Sequence, residues 1–317
     1  MYRIGTLGAL ALLTACSGLG SHMGPPTVGG TAGTASLARP GKEGKYAGTV
    51  FVSDLNNNAV WICPANDLRT GYVTASTQLQ GVSNPSQLAV DARGTLYVAN
   101  AQTDASGAGS IAVYARGATS PSRTLTSGLN TTEGVAVDSA GTVYASNKYQ
   151  GSIVIFLKGK SRAQRTIKQN LVGPDGLAVD KANNLYIADS SGNDVLKLAP
   201  KSKVPQSLHL KKLLRPYGVA FDSKGNLYVS NMLGAASTIG VYAPGATTPT
   251  VQFAVPGPAF GSEGTIGEPA MLSVAEPGDI LIVSAPLTLA LIGGAEWFGY
   301  QPAVVGFAAG QTKPLWG

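Results

Sequence analysis

Apolar and polar positions recur in one phrase along the middle of the chain: PSQLAVDARGTLYVAN (85–100), TEGVAVDSAGTVYASN (132–147), PDGLAVDKANNLYIAD (174–189) and PYGVAFDSKGNLYVSN (216–231). Each phrase holds two short runs, such as Gly134 to Val137 and Val143 to Ser146, rich in Val, Leu, Ile and Tyr. Runs this short do not make helices and suit strands. The polar tetrad between them, Asp138-Ser139-Ala140-Gly141 in the second copy, reads as a tight turn. Its Asp can accept backbone N–H bonds, and its Gly adopts positive φ at little cost, a place taken by Asn183 in the third copy. A third apolar run follows each pair (Ser110 to Ala115, Ser152 to Leu157, Asp194 to Leu198, Thr238 to Ala243), then a weaker fourth. The pattern predicts four antiparallel strands per repeat.

The turn aspartates Asp91, Asp138, Asp180 and Asp222 are spaced by 47, 42 and 42 residues, the mark of one supersecondary unit copied. A single four-stranded sheet, apolar on both faces, cannot hide itself, so the copies must stack. Twisted sheets stacked about an axis make a β-propeller. Degenerate units extend the series at both ends, with Thr49 to Asp54 and Ala59 to Cys63 before it, and Met271 to Val274, Asp279 to Val283 and Ala303 to Phe307 after it. The expected fold is therefore all-β, a six-bladed β-propeller over residues 46–317. The first unit lacks an obvious innermost strand, so ring closure falls to residues 31–44 or to the C-terminal stretch around Lys313 to Trp316. The 41 glycines of the 317-residue chain fit its many turns.

The N-terminus has a different character. Arg3, an apolar stretch from Ile4 to Leu13 and the quartet Leu13-Thr14-Ala15-Cys16 form a secretory signal too short to span a bilayer permanently. The quartet resembles a bacterial lipobox, which implies cleavage after residue 15 and lipidation of Cys16. The expected layout is a signal peptide (1–15), a lipidated Cys and Gly/Ser/Thr/Pro-rich leash (16–45) and the propeller. The expected address is extracytoplasmic, on a membrane held by acyl chains; Ser17 favours the outer membrane if the cell has one. With Cys16 acylated, Cys63 has no partner for a disulfide, and its apolar run suits a buried inert thiol.

Charge is concentrated. Residues 158–215 carry twelve Lys or Arg and four Asp, +8 against a chain total of +6. Lys158, Lys160, Arg162, Arg165 and Lys168 fall in the outer part of one unit, and Lys197, Lys201, Lys203, Lys211, Lys212 and Arg215 in the next. This sector reads either as a solvated basic face or as a contact for an anionic envelope polymer or lipid headgroup. Nucleic acid is not expected, since no aromatic platform interleaves the basic residues.

The phrase Pro-x-Gly-Leu-Ala-Val-Asp, a turn, then Leu-Tyr-Val-Ala-Asp/Asn resembles the NHL repeat and the related six-bladed family of gluconolactonase and regucalcin. In the lactonase-like members a divalent metal, usually calcium, sits in the central channel on acidic and amide side chains at the starts of the innermost strands. Carried onto this chain, those places are Ser86, Glu133, Asp175, Tyr217 and Ala270. Asp175 and Glu133 could hold Ca²⁺ or act as a proton-transfer pair; Ser86 and Tyr217 are candidates for ligand contact, and Ala270 offers nothing. A second ring, Asp54, Asn100, Asn147, Asp189 and Asn231, suits short side chains bonding backbone N–H groups where strands end.

Other chemistries lack their residues. His22 and His209 are the chain's two histidines, so zinc sites and the histidine-dependent lyases that share propeller folds are not expected. Phe260, Trp297, Phe298 and Tyr300 lie in irregular insertions near the C-terminus, either packing over the ring closure or forming an aromatic lip for a ligand. Two functions follow. The first is a lipid-anchored, non-catalytic scaffold that binds a protein, glycan or envelope component. The alternative is a metal-dependent lactonase-type hydrolase with a degenerate channel site at Glu133 and Asp175.

Overall fold

The computed structural model describes residues 13–14, 37–38, 49–54, 58–64, 77–101, 108–231, 238–254, 268–275, 279–285 and 303–307. Cys16, Phe260, Trp297, Phe298, Tyr300 and the stretch around Lys313 to Trp316 lie outside them. Among the described residues the regular elements are strands, grouped into six four-stranded sheets. The four clear repeats make the second to fifth sheets, each a meander from an inner to an outer strand. The third runs Thr132–Val137, Val143–Asn147, Ser152–Phe156 and Arg165–Ile167, and the fourth Pro174–Val179, Leu185–Asp189, Asp194–Leu198 and Gln206–Ser207.

The terminal sheets borrow strands. Leu37–Ala38 pairs with Thr49–Asp54 and supplies the inner strand of the first sheet, so the alternative placed in residues 31–44 is the one realised. Leu13–Thr14 pairs with Ala303–Phe307 as the outermost strand of the sixth. Inner strands of consecutive sheets touch in chain order, and Glu268–Ala275 of the sixth sheet returns to touch Leu37–Ala38. The sheets thus stand around a common axis as a closed β-propeller.

Stacking is where the apolar faces go. One core cluster joins Tyr97, Ile111, Val113 and Leu125 of the second sheet to Val135, Val143, Val154 and Phe156 of the third. The next joins Tyr144, Ile153, Ile155 and Ile167 of the third to Leu177, Leu185, Leu196 and Leu198 of the fourth. Each fully buried side chain of this size contributes roughly 1.5–3 kcal/mol, and every such cluster needs its neighbouring sheet.

The turn between inner and second strands forms as its residues dictate. Asp91, Asp138, Asp180 and Asp222 accept backbone N–H groups two or four residues on through Oδ1, at 2.8–3.0 Å. Gly94, Gly141, Asn183 and Gly225 take φ of +82°, +82°, +61° and +85°.

The ring of Asn and Asp at the ends of second strands is structural at each of its described side chains. Asn100, Asn147 and Asn231 accept the N–H of Ser83, Asn130 and Leu214. Asp189 accepts three, from Val172, Gly173 and Gly192, at 2.7–3.0 Å. These bonds pin the loops that enter each inner strand.

Candidate functional site

Inner and second strands share one irregularity. Their register shifts between Pro85 and Leu88, Thr132 and Val135, and Pro174 and Leu177. Such a bulge lifts the residues inside it out of the ladder and re-aims their side chains. Ser86, Gln87, Glu133 and Asp175 are the side chains so placed, beside Gly134 and Gly176, and they meet at the hub.

Asp175 is fully buried. Its Oδ1 lies 2.8 Å from the Lys148 ammonium and has no other hydrogen-bond donor among the described residues. Its Oδ2 accepts the Ser190 hydroxyl. Lys148 and Ser190 are equivalent residues: each follows the Asn or Asp that ends a second strand, and each donates its backbone N–H to the loop before the inner strand, at Thr131 and Gly173. Lys148 also sits 5.1 Å from the centroid of the Tyr217 ring. Glu133 accepts from the Ser86 hydroxyl at 3.1 Å, and the nearby Tyr217 hydroxyl favours its charged form.

Burial is the largest influence on both carboxyls. It raises Glu133, with the charge of Asp175 pushing the same way, against Lys148 and the two hydroxyls. It raises Asp175 against the Lys148 ammonium and Ser190. For Lys148 burial acts downward, but Asp175 and Glu133 prevail and hold its ammonium above the ordinary lysine value.

Glu133 and Asp175 therefore belong to one electrostatic cluster. The donor set does not suit a divalent cation, because a fixed ammonium already neutralises the deeper carboxylate and a hydroxyl hydrogen occupies its second oxygen. Among the described residues no three His, Cys, Asp or Glu side chains gather as a metal group. Ser86 is fully buried and donates to the Glu133 backbone carbonyl at 2.7 Å, which makes it a brace between the second and third sheets. Tyr217 is 6% exposed and lines the cluster from behind.

Two hub residues escaped the sequence reading. Lys148 stands where the other copies have Ala101, Ser190 and Met232, and Gln87 where they have Gly134, Gly176 and Gly218. The Gln87 amide reaches beyond the neighbouring sheet: Nε2 donates to the Leu177 carbonyl at 2.8 Å, and Oε1 accepts from Val135 and Leu177, both at 3.0 Å. It ties three inner strands together one step beneath the carboxylates. A charged residue breaking a column of uncharged ones, and a long amide breaking a column of glycines, were the available signals.

A glycine is required opposite that tie. A Cβ on Gly134 would lie 2.2 Å from the Asp175 carbonyl oxygen. The space goes to Ser146, whose hydroxyl accepts from Gly134 and donates to that same carbonyl, both at 2.7 Å, latching third sheet to fourth.

Among solved structures the chain is similar to a streptogramin B lyase (11% identity, 79% of this chain and 90% of that one, TM-score 0.54). It is also similar to a hydrazine synthase chain of Kuenenia stuttgartiensis (14%, 84% and 80%, TM-score 0.57) and to virginiamycin B lyase from Staphylococcus aureus (12%, 81% and 82%, TM-score 0.54). At such identities the likeness is one of fold. No curated protein matches the chain in sequence. The family model described as the SMP-30/gluconolactonase/LRE-like region matches residues 45–232, which hold the four phrases, the bulged inner strands and the hub carboxylates. By that match, which spans more than half its length, the chain belongs to the SMP-30/gluconolactonase/LRE-like family.

Proposed function

We propose that this protein is an extracytoplasmic lipoprotein whose six-bladed propeller binds a protein or glycan of the cell envelope without catalysis, through the face that carries Lys148. The observation that supports this reading is the ion pair itself. A lysine whose ammonium holds Asp175 does for the buried carboxylate what a metal would do, while supplying no Lewis acid and no activated water. Around it the same face presents Tyr149, Val172 and Leu214, which are 76%, 62% and 39% exposed, next to a Lys148 side chain still 19% exposed. Apolar groups standing around a recessed charge suit recognition of a partner. Trp297, Phe298 and Tyr300 belong to this proposal as further contacts.

Attachment rests on the quartet ending at Cys16; since Leu37–Ala38 is paired into the first sheet, the proposed leash is the part of residues 16–45 that precedes it. Cleavage there removes Leu13–Thr14, an edge strand paired with two residues. Intact mass and membrane fractionation test this: a diacylated or triacylated chain beginning at Cys16, released to the soluble fraction by Cys16→Ser, is expected. A chain that keeps residues 1–15 and stays soluble would refute the anchor. The basic surface of the third and fourth sheets is the proposed contact for anionic envelope polymer. Lys158, Lys160, Arg162, Lys168, Lys201, Lys203, Lys211, Lys212 and Arg215 are exposed there.

The second reading, a metal-dependent lactone hydrolase, is favoured by the family match and by the electrostatic coupling of Glu133 to Asp175. A panel of lactones assayed with calcium and with chelator separates the two. The binding reading expects no turnover above that of Glu133→Gln. Saturable, chelator-sensitive hydrolysis that Glu133→Gln abolishes would establish the enzyme.

A further inference from the structure

The fourth and fifth sheets part at the turn face and leave a cleft of about 710 Å³. It lies at the other end of the inner strand from the hub: Asp175 is the second residue of Pro174–Val179 and Asp180 follows that strand, five residues on from Asp175, or roughly 16 Å. Its cause is a substitution pattern. In the ladder between second and third strands, Tyr97 faces Val113, Tyr144 faces Ile155 and Tyr228 faces Val241, but Tyr186 faces Lys197. Val113 and Ile155 are buried in the cores between their sheets; Lys197 is half-buried and opens the corresponding core. It therefore faces inward, and is to be subtracted from the basic rim that the sequence suggested.

The opposite wall changes as well. Phe221 ends the fifth inner strand where its counterparts are Val90, Val137 and Val179. Its ring meets Tyr186 edge-on at 4.7 Å between centroids, and the Lys197 ammonium lies 5.5 Å from the Tyr186 centroid. Leu208 and Leu210 continue the apolar lining, and Lys181 and Lys224 stand at the mouth. Lys181 donates to the Ser223 carbonyl across the cleft.

The acidic residues of the lining are occupied. Both oxygens of Asp180 bond Ala182 and Asn184, and those of Asp222 bond Lys224, Asn226 and Tyr228. Three lysines thus face two carboxylates committed to their own turns. We infer that this cleft is a second binding site, for a small organic acid with an aromatic body, whose anionic group is held by Lys197 and whose ring lies against Tyr186 and Phe221. A cavity of this size, mostly apolar with a few convergent charged groups, has the build of a small-molecule site.

Fluorescence titration with anilinonaphthalene sulfonate, against its uncharged relative phenylnaphthylamine, tests the inference. Lys197→Ile installs the residue type of the neighbouring sheet, so the variant should fold and melt no lower than the parent. It is expected to bind the sulfonate at least about tenfold more weakly, as the loss of one charged hydrogen bond implies, while keeping the neutral probe. Phe221→Val should weaken both probes. Sulfonate affinity unchanged in both variants, or equal loss of the charged and neutral probes in Lys197→Ile, would overturn the site. Lys148→Met leaves the sulfonate titration unchanged, which keeps this cleft separate from the proposed function of the hub.

Discussion

Replacing Lys148 by Met removes the cation from Asp175 and keeps the length of the side chain. Asp175 is fully buried, and its other oxygen has only the Ser190 hydroxyl, so the carboxylate that remains is largely uncompensated. Breaking a buried pair by deleting one partner costs about 3–5 kcal/mol. Lys148 retains 19% exposure, which lets water into the vacated place and sets the expectation near the lower bound, about 3 kcal/mol. For a domain of this size that is a fall in melting temperature of about 6 °C.

The loss depends on pH with a definite sign. Asp175 binds its proton more tightly in the folded chain than an ordinary aspartate does. Stability therefore falls as pH rises from the unfolded value, about 4, through the folded one. Without the ammonium the folded value moves further up, and the window widens toward neutrality. Chemical denaturation of parent and variant should differ least in acid below about pH 4, the ordinary aspartate value, where Asp175 carries its proton folded or unfolded, and most at about pH 7. Adding Asp175→Asn to Lys148→Met should recover part of the loss, since a neutral amide tolerates the site better than an unpaired carboxylate. A variant within about 0.5 kcal/mol of the parent at both pH values, with no coupling in the double-mutant cycle, would refute the buried pair.

Gln87→Leu should destabilise by about 3 kcal/mol or more, because it orphans the N–H groups of Val135 and Leu177 and the Leu177 carbonyl at about 1–3 kcal/mol each; denaturation midpoints read this, and a neutral result would mean that Gln87 is not the tie. Gly134→Ala forces a methyl against the Asp175 carbonyl, so it should fold poorly by circular dichroism. Gly159→Ala meets nothing within 4 Å and should cost only its left-handed backbone penalty, about 1–2 kcal/mol.

How far the sequence carries can be judged residue by residue. The turn aspartates and the ring of Asn and Asp were legible because their partners are local or lie in the adjoining loop, so the repeat itself records the geometry. The propeller was legible because sheets apolar on both faces admit few arrangements. Lys148 was not, because it follows the repeated phrase and acts on the next sheet, and an isolated lysine in a loop looks like any solvated charge. Gln87 sat in plain view beside Ser86, but its partner Leu177 is ninety residues away, a distance that only ring closure brings to contact. Charge counting places Lys197 on the rim with its basic neighbours because it ignores which face of a strand a residue occupies; its ladder place opposite Tyr186 turns it inward. The inner strand of the first sheet, Leu37–Ala38, is two residues long and carries no copy of the phrase, so the sequence could offer its region only as one of two alternatives.

At the hub the Lys148 ammonium takes the place that a channel cation would fill beside Asp175. Thermal melting of the full chain in calcium and in chelator tests this directly. The ion pair predicts identical melting temperatures in both. A bound metal at about a hundredfold its dissociation constant would add about 2.7 kcal/mol of stability, and a calcium-dependent rise of that size, lost in Asp175→Asn, would contradict the account.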